Sequence, residues 1–78
     1  MTLTTAKAIR VTSTVLASVA YDIYASLLDL EFCDGAIHQY SAVPETIYQE
    51  LIAADSKGAY FNRQIRNHFS HRRVRPPQ

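Results

Sequence analysis

Seventy-eight residues, 47% hydrophobic and 19% charged, make one small domain with no room for a second core. The apolar content is too high for a disordered chain, and the formal net charge of +1 is too balanced for a nucleic-acid tail protein. Cys33 is the single cysteine, so the chain has no internal disulfide and no CxxC pair, and a zinc site would need His38, His68 and His71. A core this small supplies only about 3–5 kcal/mol, which makes self-association the expected supplement.

The net charge hides an asymmetry. Through residue 62, three basic side chains (Lys7, Arg10, Lys57) oppose seven acidic ones, a net −4. Residues 63–78 carry Arg63, Arg66, Arg72, Arg73 and Arg75 without an acid, a net +5. An anion is therefore drawn to the C-terminal end.

Residues 1–10 read as a flexible leader. Lys7 and Arg10 before residues 11–20 have the outline of a secretory signal, but four of those ten residues are Thr or Ser and the apolar ones are spaced like a strand. The expected compartment is therefore the cytoplasm, and the lone thiol suits it. No run approaches the ~20 apolar residues of a membrane span.

Strand alternation begins at Val15 to Tyr21. Leu28, Leu30 and Phe32 then alternate against Asp29, Glu31 and Cys33. Asp34-Gly35 comes next, a strong hairpin signal, because both residues tolerate the positive φ of a type I′ turn. A two-residue turn there pairs Phe32 with Ile37, Glu31 with His38 and Asp29 with Tyr40. That register gives a core face of Leu28, Leu30, Phe32 and Ile37, and an opposite face of Asp29, Glu31, Cys33, His38 and Tyr40. Pro44 and Glu45 suit a helix start, and Ile47, Tyr48, Leu51 and Ile52 give it an apolar stripe over residues 44–54. Ser56 caps a second helix over about residues 57–68, with Phe61, Ile65 and Phe69 on one face. Residues 70–78 hold three arginines and Pro76-Pro77 and read as a mobile tail. The expected fold is α+β: a three-stranded antiparallel meander followed by two helices packed on one face, β-β-β-α-α.

Several ordered pieces carry a resemblance: Val11-Thr12-Ser13, Tyr21-Asp22, Leu28-Asp29-Leu30-Glu31-Phe32, Asp34-Gly35, His38-Gln39-Tyr40 with Val43-Pro44, and Ser56-Lys57-Gly58-Ala59-Tyr60-Phe61-Asn62-Arg63 with Ile65-Arg66. Over residues 11–69 the chain resembles the KTSC domains, small bacterial and viral domains also appended to some lysyl-tRNA synthetases. The family's central Tyr-x-Tyr reads His38-Gln39-Tyr40 here. The resemblance implies the domain and raises RNA binding, without implying an activity.

Ser56-Lys57-Gly58 is the most informative motif. A helix N-terminus attracts anions, Lys57 adds a full charge, and Gly58 permits close approach. Tyr60, Asn62, Arg63 and Arg66 on the next turns offer a ring, an amide and two guanidinium forks, while Ser13 and Tyr40 add a hydroxyl and a second ring. The plainer reading of the same residues is capping, close packing and solvated charge. Cys33 with His38 invites a nucleophile reading, but nothing supplies an oxyanion donor or a lowered thiol pKa. No catalytic, metal or cofactor site is expected. The leading expectation is non-catalytic capture of a phosphate-bearing, nucleotide-sized ligand, a signalling nucleotide among them, at the start of the second helix. One alternative is RNA binding through Arg72 to Arg75. Another is a self-association surface of Tyr21, His38 and Tyr40 on the uncovered sheet face.

Overall fold

In the computed structural model, which describes residues 8–78, the chain runs β1 (Ile9–Arg10), β2 (Leu16–Asp22), β3 (Leu27–Phe32), β4 (Ile37–Tyr40), α1 (Glu45–Ala53), α2 (Lys57–Tyr60) continuing into a π-helical turn (Phe61–Ile65), and β5 (His71–Arg75). The five strands form one antiparallel sheet in the order β1-β2-β3-β4-β5. The expected meander is its centre, and both edges are additional. Most of the expected leader, residues 1–7, lies outside the described residues. Ile9 and Arg10 pair with Val19 and Ser18.

The tail is a correction. Residues 71–75, expected to be mobile, form an edge strand on β4. Their ladder needs only backbone N–H and C=O groups, which every residue but proline supplies. Charged side chains along such an edge discourage pairing with another chain.

The hairpin register is a second correction. Phe32 N–H donates to Ala36 O at 2.8 Å and Gly35 N–H to Phe32 O at 2.9 Å, closing a three-residue loop over Cys33, Asp34 and Gly35. Gly35 takes the left-handed position at φ +95°. The pairs are consequently Leu28 with Tyr40, Leu30 with His38 and Glu31 with Ile37. One residue of slip turns a strand over. His38 and Tyr40 move to the helix-covered face, whereas Ile37, expected in the core, moves to the open one.

Pro44 stands at the N-cap of α1 in extended conformation, as its fixed φ allows. Ser56 caps α2, its Oγ accepting from Ala59 N–H at 3.2 Å. The second helix is shorter than expected. Arg66 N–H donates to Phe61 O at 2.8 Å, widening the last turn to π geometry, and Arg66 is already extended. Asn67 comes next at φ +67° and redirects the chain toward β5. Leu16, Val19, Leu28, Leu30, Tyr40, Val43, Leu51, Tyr60, Phe61 and Ile65 form the core between sheet and helices. Each fully buried aliphatic side chain there contributes roughly 1.5–3 kcal/mol.

Across the open face of the sheet, Glu31 organises the charges. Its Oε1 accepts from Ser18 Oγ at 2.8 Å, and its Oε2 meets Arg75 Nη2 at 3.0 Å. Arg10 Nη1 lies 3.9 Å from Oε1. The Ser18 hydrogen bond, with the two arginines, holds the carboxyl below the ordinary glutamate range against the opposing effect of burial.

Candidate functional site

Four segments border a cleft of about 650 Å³: the β3–β4 hairpin (Phe32, Asp34, Ala36, His38, Tyr40), the π turn and its C-terminal exit (Phe61, Asn62, Arg66, Asn67), β5 with Pro77, and Val15. Strand alternation decides which tail residues reach it. His71 pairs with Tyr40 and Arg73 with His38, so both point to this side, while Arg72 pairs with Gln39 on the open face. Arg75, opposite Ile37, is held there by Glu31 and by Gly35 O, to which its Nε donates at 2.8 Å.

Rings line the cleft in continuous contact. His71 stacks on Tyr40, with centroids 4.9 Å apart, and lies 5.3 Å from His38. Phe32 meets His38 and Phe61 edge-on at 5.5 and 5.3 Å, and Tyr40 meets Phe61 edge-on at 5.9 Å. Burial holds His38 below the ordinary imidazole range, with His71 and Arg73 pressing the same way and Asp34 opposing them. Arg66 Nη1 donates to Asn62 Oδ1 at 3.3 Å. Among the described residues neither Arg66 nor Arg73 has a carboxylate partner. Two guanidinium groups without a carboxylate partner among the described residues thus border an aromatic cleft.

The residues picked out along the sequence divide among three places. Ser56, Lys57, Gly58, Ser13 and Asn62 border a smaller cleft of about 450 Å³, where Thr12–Thr14 approaches the start of α2. Arg63 and Tyr60 border a third, of about 570 Å³, which Ser56 also lines. Asn62, Arg66, Tyr40 and His38 lie in the aromatic cleft, Asn62 bordering two of the three.

Local geometry commits much of the helix-start motif to the fold. Ser56 Oγ is the cap acceptor, and Lys57 Nζ donates to Ala54 O at 3.0 Å, at the end of α1. A Cβ on Gly58 would stand 2.8 Å from Val15 Cγ2, so the missing side chain admits the residue that leads into β2. Ser13 Oγ accepts from Val15 and Leu16 N–H at 3.0 and 3.2 Å, organising the lead into β2. Tyr60, expected to stack on a ligand, is buried, its hydroxyl donating to Glu50 Oε1 at 2.6 Å. Burial and that bond push its phenol up to about 12. Tyr40 is 3% exposed and covered by His71, which is itself exposed.

The expected self-association surface is not assembled on the uncovered face. His38 and Tyr40 are on the other side, and Tyr21 stacks on Tyr48 at 5.0 Å with its hydroxyl on Val43 O at 2.6 Å. The grouping of Glu31, Cys33, His38 and Tyr40 separates likewise: Glu31 is on the open face, and Cys33 is exposed in the hairpin loop. Among the described residues no group of three or more His, Cys, Asp or Glu side chains is placed to hold a metal, and no helix is long and apolar enough to cross a membrane. Sequence reasoning passed over His71, Arg73, Phe32 and Phe61 as cleft residues. The alternation of His71 and Arg73 matches that of His38 and Tyr40, but it carries meaning only once β5 is known to pair with β4.

Residues 12–69 match the family model of the KTSC domain. The chain belongs to the KTSC domain family. A KTSC domain protein of Yersinia pestis has a similar crystal structure, with a TM-score of 0.88 and 30% identity over 90% of this chain and 99% of that one. An uncharacterised protein of Stutzerimonas stutzeri is 36% identical over 69 residues, 87% of this chain and 97% of its own length. A lysine–tRNA ligase of Nostoc is 39% identical over 54 residues, 69% of this chain but a tenth of the ligase. The family match ends at Phe69, so the KTSC model spans the sheet from β2 to β4 and the helices, and β5 with its share of the cleft lies beyond it.

Proposed function

We propose that this KTSC domain captures, without chemical turnover, a ligand of nucleotide size that joins a flat ring to a phosphate, and that it does so in the aromatic cleft. The observation that carries the reading is the meeting of exposed ring surface with Arg66 and Arg73, two guanidinium groups without a carboxylate partner among the described residues. Guanidinium forks match phosphate oxygens, and a nucleobase stacks on a ring edge or face. A cleft of about 650 Å³ is within the range of small-molecule sites. The site is displaced from the start of α2, where Lys57 and Ser56 are already bonded.

Calorimetric titration with adenosine and guanosine monophosphates tests this. Arg66→Ala and Arg73→Ala should each weaken binding about tenfold or more, the worth of a charge-assisted bond. Lys57→Met should leave affinity unchanged. Wild-type affinity for both nucleotides no better than for inorganic phosphate would refute the reading.

The lysine–tRNA ligase relatives favour a second reading, contact with RNA. Arg73 reaches the cleft side while Arg72 and Arg75 lie on the opposite face, so the tail offers no continuous basic track. RNA contact predicts binding of a single-stranded oligoribonucleotide with steep salt dependence that falls on deletion of residues 70–78.

A further inference from the structure

We propose that His38 and His71 form a proton-operated latch, which holds the first half of β5 against β4 at neutral pH and releases it under mildly acidic conditions, removing one wall of the aromatic cleft. The proposal rests on the packing of β5 against β4 and stands whatever the cleft binds.

The two imidazoles are 5.3 Å apart across the β4–β5 pairing, and His71 also covers Tyr40. His38 Nδ1 is buried and has no hydrogen-bond partner among the described residues. An unpaired acceptor there is tolerable. A proton placed on it would create a buried cationic N–H without an acceptor, which is far more costly. The surrounding charge adds to that cost. From β5, His71 and Arg73 face His38, and from beyond the π turn Arg66 lines the same cleft. Asp34, on the hairpin loop, is a carboxylate that opposes them.

The sign comes from linkage. A basic group whose docked pKa lies below its free value binds its proton better undocked, so docking weakens as pH falls below the free value of about 6.5 and levels off below the docked one. The far half of the strap does not share this dependence. Arg75 is held by Glu31 Oε2 at 3.0 Å and Gly35 O at 2.8 Å, and Gln78 N–H donates to Asp34 O at 2.8 Å. Glu31 stays ionised through the same range, since its carboxyl is held below the ordinary value. Release is therefore confined to residues 71–73, hinged at Arg75.

Amide hydrogen exchange resolved by residue, with protection corrected for intrinsic rates, tests the latch on the whole chain. Between about pH 7.5 and about pH 5.5, protection of the amides that pair residues 38–40 with residues 71–73 should fall severalfold, with about tenfold the ceiling for one imidazole of free value near 6.5, while that of the β2–β3 ladder holds. His38→Phe should remove the dependence, and His71→Phe, at an exposed position, should reduce it. Pairing that stays equally protected across this range in the wild type would overturn the proposal. So would either variant retaining the full wild-type dependence.

Discussion

Replacing Gly58 by alanine separates a packing role from a ligand-binding one. On helix propensity alone the change should stabilise, by up to about 1 kcal/mol. The new Cβ, however, would meet Val15 Cγ2 at 2.8 Å and Val15 Cβ at 3.3 Å. Carbon atoms at rest sit about 3.5–4.0 Å apart. Rotating the valine side chain cannot relieve the second contact, because Cβ lies on the rotation axis. The valine backbone is itself tied, its N–H donating to Ser13 Oγ and its carbonyl accepting from Cys33 N–H at 2.9 Å. The start of α2 must therefore lift from the sheet, an overpacking cost of about 1–3 kcal/mol. The balance is a loss of up to about 2 kcal/mol, and each kcal/mol lowers Tm by roughly 4–8 °C in a domain of this size. Thermal and urea denaturation followed by circular dichroism measure it. Val15→Ala should cost about 1 kcal/mol alone, yet largely cancel the penalty of Gly58→Ala in the double variant, a coupling of about 1–2 kcal/mol. A Gly58→Ala protein more stable than wild type, or strictly additive penalties, would refute the steric argument and return Gly58 to the ligand.

Two further outcomes concern bonds within the helical half. Tyr60→Phe deletes the 2.6 Å bond to Glu50 and should cost about 1–2 kcal/mol at neutral pH by denaturant titration. Because the folded phenol is raised to about 12, the stability it adds is whole below its ordinary value near 10 and lost as pH climbs toward 12. That alkaline loss should be missing from Tyr60→Phe. Lys57→Met removes the donor to Ala54 O and should lower the urea midpoint by the equivalent of about 0.5–1 kcal/mol. An unchanged midpoint would show that the ammonium is free for a ligand after all.

The central elements were legible in the amino-acid sequence alone. Alternation in Leu28, Leu30 and Phe32 located β3, Pro44 with the stripe of Ile47, Tyr48, Leu51 and Ile52 located α1, and Ser56 located the start of the next helix. These signals can be read because each element buries one face against the others, and burial imprints a period on the residues. The motif pieces that mark the KTSC domain are likewise local. The edges, the register and the cleft belong to the tertiary structure. β1 and β5 join the sheet through backbone groups that leave no apolar period, so a run such as His71 to Arg75 reads as solvated tail until β4 is beside it. The hairpin could close over two residues or three, and Asp34-Gly35 is compatible with both. In the folded chain Asp34 Oδ1 accepts from Ala36 N–H at 3.0 Å, while Gln78 N–H and Arg75 Nε bind the loop carbonyls of Asp34 and Gly35. Those last two contacts come from some forty residues away in sequence. They accompany the register that turns His38 and Tyr40 inward, to meet the rings and guanidinium groups that no local pattern had grouped.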